Sequence, residues 1–213
     1  MIILGLTGSI GMGKTTIANI FSYLSVPVFD SDYEVHKLYK DPKIISLISS
    51  HFPESYNKKD KSIDRNILSS MIFTDSINPI DLYDVEEKKK LLESIIHPLI
   101  RNKQNDFIKK HILLGNKYVL IDIPLLFETG SENRFDYIIT ATAPFFIQKQ
   151  RVLSRSGMTE EKFYKILDSQ ISNEEKIRKS DFIIKTGASR ALITKEIKSI
   201  LNKLKTTNYH KCG

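Results

Sequence analysis

The sequence has 213 residues and a mass of 24.5 kDa, a size that suits one domain carrying a smaller second one. Its hydrophobic content of 41% is enough to bury a core, and no apolar run approaches the roughly 18 residues that a membrane-spanning helix needs. The net charge is +7, but the lysines are spread along the chain, so we expect no nucleic-acid partner. The N-terminus lacks the basic residues of a signal peptide, and the single cysteine, Cys212, can form no internal disulfide; both indicate a cytoplasmic protein.

Five short apolar runs rich in β-branched residues predict strands that are buried on both faces of a parallel sheet. In chain order they are Ile2–Leu6, Val26–Phe29, Tyr118–Ile123, Tyr137–Ala141 and Phe182–Lys185. Apolar residues at helical spacing predict helices over Lys14–Tyr23, Val85–His111 and Ala188–Leu204. Strands that alternate with helices in this way indicate an α/β fold with right-handed crossovers.

Two intervals between predicted strands are too long for a single crossover helix. The first, residues 32–116, has mainly helical patterns with a polar break at Pro53–Ser62, and predicts an inserted helical domain. The second, residues 145–180, is rich in Arg, Lys and Glu. The remaining segments, 1–31, 117–144 and 181–205, form the predicted core, and residues 206–213 a flexible tail.

Residues 8–15, here named the cradle, match the phosphate-binding pattern G-x-x-x-x-G-K-[ST] between a predicted strand and a predicted helix. The glycines let successive N–H groups point at phosphate oxygens, and the start of the helix favours an anion. Lys14 supplies a positive charge for the β- and γ-phosphates, and Thr15 a hydroxyl for Mg²⁺. The predicted phosphate-binding residues are Gly8, Ser9, Ile10, Gly11, Met12, Gly13, Lys14, Thr15 and Thr16.

The regulatory GTPases, a second class of proteins with this pattern, do not fit the sequence. They need Asp-x-x-Gly after a strand, and no Asp of this chain has a Gly three residues later. They also need Asn-Lys-x-Asp, whereas Asn116–Lys117 leads into Tyr118–Val119. The cradle therefore predicts a kinase that acts on a small molecule.

Three carboxylates follow predicted strands, at the edge of the sheet where open α/β proteins bind ligands. Asp30 and Asp32 come after the second strand, and Asp122 ends the third. Such a carboxylate can accept the proton of an attacking hydroxyl, help to hold Mg²⁺, or cap the following helix. Spacing alone leaves open which of Asp30 and Asp32 caps and which acts on the substrate.

Several motifs resemble the dephospho-CoA kinase family in order and spacing over nearly the whole chain. They are GLTGSIGMGKT, PVFDSD, Asp64–Arg65, His97–Pro98, DIPLLFE at Asp122–Glu128, QKQRVLSR at Gln148–Arg155, Gln170, and SDFIIKTG at Ser180–Gly187. The resemblance implies a five-stranded parallel P-loop kinase core with a helical acceptor-binding insertion (32–116) and a helical lid (145–180). It implies phosphorylation of the ribose 3′-hydroxyl of dephospho-CoA by ATP with Mg²⁺. Another nucleotide or small-metabolite kinase of the same architecture is the alternative, and we expect a monomer or a weak homo-oligomer.

The resemblance also implies residue roles. Asp32 matches the catalytic base, while Lys14 and Arg151 act on the transferring group and Arg155 binds ATP phosphates. Thr15 and Asp122 hold Mg²⁺, Asp122 directly or through water. The implied acceptor-binding residues are Asp32, Arg65, His97, Leu125, Leu126, Phe127 and Glu128. For Leu125, Leu126 and Phe127, packing in the core is the alternative.

Four residues depart from the usual pattern of this family. Ser9 and Met12 lie at variable positions of the cradle, where Ser9 must adopt backbone angles that a serine tolerates. Thr186 stands where an asparagine is usual, in a turn that the family places near the adenine. Lys165 stands where many members have an arginine, and a lysine offers a point charge instead of a fork.

Overall fold

The computed structural model describes residues 1–72 and 79–210, without the side chains of residues 79, 80, 82 and 207–210. Residues 211–213, and with them Cys212, lie outside the described residues. The chain divides into two compact units, the first made of Met1–Asp30 and Phe107–Gly213, the second of Ser31–Asp106. Across the described segments, every helix is too short or too polar to cross a membrane.

The first unit contains a five-stranded parallel sheet. Its strands are β1 (Ile2–Thr7), β2 (Val28–Asp30), β5 (Tyr118–Asp122), β6 (Tyr137–Thr142) and β7 (Phe182–Lys185). They lie in the order β2-β5-β1-β6-β7, so that β1 is central. All five strands were predicted from their apolar runs, which confirms the α/β fold; β2 alone begins two residues later than predicted, at Val28.

Two helices, α1 (Lys14–Tyr23) and α9 (Arg190–His210), bury the core of this unit against the sheet. The unit also contains α6 (Phe145–Leu153), α7 (Glu160–Asp168) and α8 (Asn173–Arg178). Helix α1 packs against β5 and α9. Its inward side chains Ile17, Ile20 and Phe21 recur at helical spacing and are at most 1% exposed. Burying side chains of this size contributes about 1.5–3 kcal/mol each, which fixes α1 and therefore the loop that precedes it.

The second unit is helical and has its own core. Its helices are α2 (Ser31–Leu38), α3 (Pro42–His51), α4 (Arg65–Ile72) and α5 (Pro79–Leu113), the last of which continues into the first unit. The core residues are Leu38, Ile44, Ile48, Phe52, Ile63, Leu68, Leu92, Ile96 and Ile100. Residues 53–62 were expected only as a polar break. In the structure this segment and Ile63 form a 3-10 turn and a hairpin of β3 (Tyr56–Asn57) and β4 (Ser62–Ile63).

Candidate active site

The cradle connects the carboxyl end of β1 to the first residue of α1. Its three left-handed positions are Gly8, Gly11 and Gly13, with φ of 147°, 77° and 82°. Among the described residues, the non-glycines with positive φ are Ser25 and Lys61, so Ser9 and Met12 adopt angles that any residue tolerates. The loss of a glycine at position 9 therefore imposes no strain on the cradle.

Three N–H groups in or next to the cradle have acceptors within the structure. Those of Ile10, Met12 and Thr16 donate to Gln170 Oε1, Ser9 O and Gly13 O. Helix α1 has no side-chain cap, because Gly13 precedes it. The first N–H groups of an α-helix lack intrahelical acceptors, so those at the start of α1 can donate to a bound anion. A contact from Thr16 to phosphate would come from its hydroxyl.

Thr186, the residue that replaces the usual asparagine, joins the cradle to the end of β7. It is 3% exposed, and its Oγ1 donates to Met12 O at 2.7 Å and accepts from Arg151 Nη1 at 2.9 Å. A Cβ at Gly13 would lie 2.7 Å from this hydroxyl, so only glycine fits there. Thr186 thus stabilises the cradle through its hydroxyl. The family motif gives no indication of this role.

Removal of this hydroxyl is expected to destabilise the protein. In Thr186→Val the buried carbonyl of Met12 loses its donor, so the free energy of unfolding should fall by about 1–3 kcal/mol. Denaturant unfolding measures this difference. Thr186→Ser keeps the hydroxyl and is the matched control, and equal midpoints for wild type and Thr186→Val would contradict the assignment.

Arg151 lies on α6 and points at the same junction. Its Nη2 donates to Thr186 O at 2.8 Å, and its Nη1 to Thr186 Oγ1 at 2.9 Å and Gly11 O at 3.4 Å. Both protons of Nη1 are thereby used, while Nε and the second proton of Nη2 remain as donors for a phosphate. By contrast, Arg155 is exposed beyond the end of α6, and the exposed Lys165 forms an ion pair with Glu161 on α7.

Two glutamines hold the peptide groups of Ile10 at the tip of the cradle. Gln148 of α6, 3% exposed, donates from Nε2 to Ile10 O at 2.8 Å, and Gln170 accepts from Ile10 N at 3.3 Å. From the sequence, Gln148 and Gln170 were placed only in family motifs, without a role. Their partners are far away in sequence, and a lone glutamine carries no local signal of such a contact.

Lys14, Thr15 and Asp122 lie at the carboxyl edge of the sheet. Lys14 begins α1 and its Nζ donates back to Gly8 O at 3.1 Å, over the loop. Thr15 follows it and is exposed. Asp122 ends β5 with 9% exposure, in register with Leu6 of β1 and Asp30 of β2. The sheet therefore brings Asp30 and Asp122 side by side.

The segment after β5 does not expose all of its predicted acceptor-binding residues. Leu126 and Phe127 are 0% and 6% exposed and pack with Ile138, whereas Leu125 is 41% exposed. Leu126 and Phe127 therefore pack in the core, as the alternative interpretation expected. Of the three residues, Leu125 is the one that a ligand can reach. Glu128 is bound at 2.8 Å to the buried ammonium of Lys176, which gives it a structural contact.

Asp32, His36 and Arg65 come together in the second unit. Asp32 lies in the first turn of α2, one helical turn before His36, and both are exposed. Arg65 begins α4 and its Nη1 bonds the His36 ring. Burial raises the pKa of Tyr39, and the nearby positive charge of Arg65 opposes that rise. His36 was not predicted as a site residue; like the glutamines, it meets its partner across a long stretch of chain.

His97 and Pro98 lie in the middle of α5. Both are exposed, whereas Ile96 and Ile100 of the same helix are buried. His97 is therefore available to a ligand and is not part of the core. Its predicted role in acceptor binding stays a prediction.

The central parallel strand, the glycine-lined cradle, and the lysine at the start of the following helix define a P-loop nucleotide-binding protein. The comparisons with known proteins then give the family. The model of the dephospho-CoA kinase family matches residues 2–191. The chain belongs to the dephospho-CoA kinase family.

Relatives are similar over almost their full length. A dephospho-CoA kinase of Mesorhizobium japonicum is 42% identical over 205 residues, 96% of this chain and 98% of that protein. The dephospho-CoA kinase structure from Campylobacter jejuni is 32% identical with a TM-score of 0.65, covering 97% of this chain and 98% of the other. A crystal structure from Thermus thermophilus is 27% identical with a TM-score of 0.80, covering 95% and 97%.

Proposed function

We propose that this chain transfers the γ-phosphoryl group of ATP to the ribose 3′-hydroxyl of dephospho-CoA, which yields coenzyme A and ADP. The observation that carries the proposal is the family match over residues 2–191, which includes the complete cradle. In the reaction the 3′-oxygen forms a bond to the γ-phosphorus while the bond from that phosphorus to the β,γ-bridging oxygen breaks. The proton of the hydroxyl passes to a protein carboxylate.

The cradle would bind and orient the triphosphate. N–H groups at the start of α1 donate to phosphate oxygens, and the helix dipole favours their negative charge. Lys14 adds a full positive charge, which is worth most where charge develops during transfer. Arg151 can donate its remaining N–H groups to the phosphates while Nη1 stays bound to Thr186. Arg155 is exposed and would reach phosphates only from the lid, residues 145–180.

The donors near the cradle fit Mg²⁺. Thr15 offers a hydroxyl and Asp122 a carboxylate, the hard oxygen ligands that this ion prefers. Within the described residues, no group of three or more His, Cys, Asp or Glu side chains can hold a metal. In kinases, Mg²⁺ is usually bound by one or two protein side chains together with the substrate phosphates, so a larger cluster of protein ligands is not required. When bound, Mg²⁺ neutralises phosphate charge; Thr15 and Asp122 would orient it, Asp122 directly or through water.

Asp32 would accept the proton of the 3′-hydroxyl. It follows β2 by two residues and is exposed at the start of α2. Arg65 offers a planar guanidinium suited to an acceptor phosphate. His97 and Leu125 are the other predicted acceptor contacts that solvent reaches. Asp30, in register with Asp122, is the alternative proton acceptor or a residue that supports the metal site.

The substrate assignment predicts selective consumption of ATP. With Mg²⁺ present, we expect turnover with dephospho-CoA, and at least 100-fold lower kcat/KM with nucleoside monophosphates or shikimate, because a site whose polar groups pair with one acceptor discriminates by about this much or more. A coupled ADP assay measures the rates, and ³¹P NMR identifies the phosphorylated hydroxyl. Comparable efficiency with another acceptor would favour the alternative small-metabolite kinase. Removal of divalent ions with EDTA should abolish turnover, and restored Mg²⁺ should recover it.

A further inference from the structure

The tip of the cradle depends on a residue outside it. The backbone N–H of Ile10 donates to Gln170 Oε1 at 3.3 Å. Gln170 lies in the short linker between α7, which ends at Asp168, and α8, which begins at Asn173. The linker therefore helps to position the Ile10 peptide, together with Gln148, whose Nε2 donates to Ile10 O at 2.8 Å.

The linker is in turn held by the segment that follows β5. The N–H of Ile171 donates to Glu128 Oε1 at 3.2 Å, and the side chain of Ile171 packs against Leu126, Phe127 and Ile138. Gln170 is the immediate neighbour of Ile171, so the Glu128 contact fixes the backbone from which the Gln170 side chain extends.

The same oxygen of Glu128 binds the ammonium of Lys176 on α8. The two atoms are 2.8 Å apart, and the side chains of Lys176 and Glu128 are 0% and 14% exposed. A buried ion pair adds little stability over packed apolar residues, but it fixes the geometry of the groups it joins, and loss of one partner leaves a buried charge. Glu128 thus binds α8 and the linker at one point.

We propose that Glu128 and Lys176 are positioning residues for ATP binding: their ion pair holds the linker so that Gln170 fixes the Ile10 peptide of the cradle. The inference rests on the proposed function, because it takes the cradle as the site of the ATP phosphates. It assigns to Glu128 a role towards ATP, different from the acceptor contact that the family motif suggests.

Direct titration with ATP, without acceptor, tests the proposal. Glu128→Gln and Lys176→Met each leave one buried charge without its partner. Gln170→Ala removes the hydrogen bond that the side chain of Gln170 accepts from Ile10 N–H. Each is expected to weaken ATP binding about tenfold. For Lys176→Met and Gln170→Ala, neither of which changes an implied acceptor contact, the affinity for dephospho-CoA should stay within twofold of that of wild type. Glu175→Gln is the matched control, since it neutralises a carboxylate of an exposed pair on the same helix, with Lys179 at 3.1 Å, and should bind ATP as wild type does.

Non-additivity distinguishes positioning from a general structural role. In the Gln170→Ala background, Glu128→Gln should weaken ATP binding no further, because the contact through which it acts is already lost. If the two losses multiply, or if Glu128→Gln binds ATP like wild type, the proposal is wrong. Should the single charge variants fail to fold, the double variant Glu128→Gln/Lys176→Met, which leaves no buried charge, takes their place in the same titration.

The proposed function can fail separately. A wild-type protein that binds ATP but does not phosphorylate dephospho-CoA would overturn the substrate assignment, and the titrations would still test the role of Glu128 and Lys176.

Discussion

Replacement of Lys14 by alanine is expected to lower kcat by about 10³-fold. The ammonium follows directly on the last cradle glycine and reaches back over the loop to Gly8 O. In this position, the Lys14 ammonium can stabilise the negative charge that develops on the transferring phosphoryl group. Because the interaction strengthens in the transition state, its loss should reduce kcat more than ATP affinity. Steady-state kinetics with saturating ATP and dephospho-CoA measure the effect.

Lys198→Ala, a change of the same charge on helix α9, is the control for a general electrostatic effect and should leave kcat within twofold. A kcat for Lys14→Ala within tenfold of wild type would remove Lys14 from the catalytic step. Lys14→Arg keeps the charge on a longer, planar group, so partial recovery of kcat would show that position matters as well as charge.

Asp32→Asn is expected to lower kcat by about 10²-fold or more, since general bases typically contribute this much. The amide has the same shape but cannot take the proton of the 3′-hydroxyl at neutral pH. ATP affinity should stay unchanged, because the implied role of Asp32 concerns the acceptor. Single-turnover measurements with saturating ATP separate the chemical step from product release.

Asp30→Asn distinguishes the two carboxylates that spacing alone left open. Asp30 ends β2 and lies in register with Asp122, whereas Asp32 is already in α2. We expect the smaller loss of kcat at Asp30, together with a raised requirement for Mg²⁺. If Asp32→Asn turns over near the wild-type rate and Asp30→Asn does not, the assignments of base and supporting carboxylate are reversed.

The sheet and the cradle could be predicted because their signals are local. A buried parallel strand is a continuous apolar run, and Tyr118–Asp122 is buried at every position. The cradle needs glycine where φ is positive, and the structure has Gly8, Gly11 and Gly13 at those positions. Because a positive φ favours glycine, the residue type itself indicates this backbone conformation.

The polar contacts around the cradle could not be predicted, because they join residues distant in sequence. Gln170 meets Ile10 across 160 residues, and Thr186 meets Met12 across 174. Lys176 looks like a surface lysine in the sequence NEEKIR, yet it is fully buried. Only tertiary packing decides whether such a polar side chain faces water or a partner.

The hairpin of β3 and β4 was not predicted from the sequence. Residues 53–62 were expected to be only a polar break, because the strands β3 and β4 have two residues each and carry no apolar alternation. The Asn57 side chain instead supplies the local order, since its Oδ1 accepts the N–H groups of Lys59 and Asp60.

The close packing around the glycines has a consequence for protein engineering. A Cβ would lie 2.8 Å from Ala141 O at Gly8, 2.6 Å from Val152 Cγ2 at Gly11, and 2.7 Å from Thr186 Oγ1 at Gly13. The eight residues of the cradle therefore pack closely against β6, α6 and the turn after β7. A chimaera that receives only residues 8–15 would have the consensus sequence but not the residues against which it packs. A successful graft would have to transfer Ala141, Val152 and Thr186 together with the cradle.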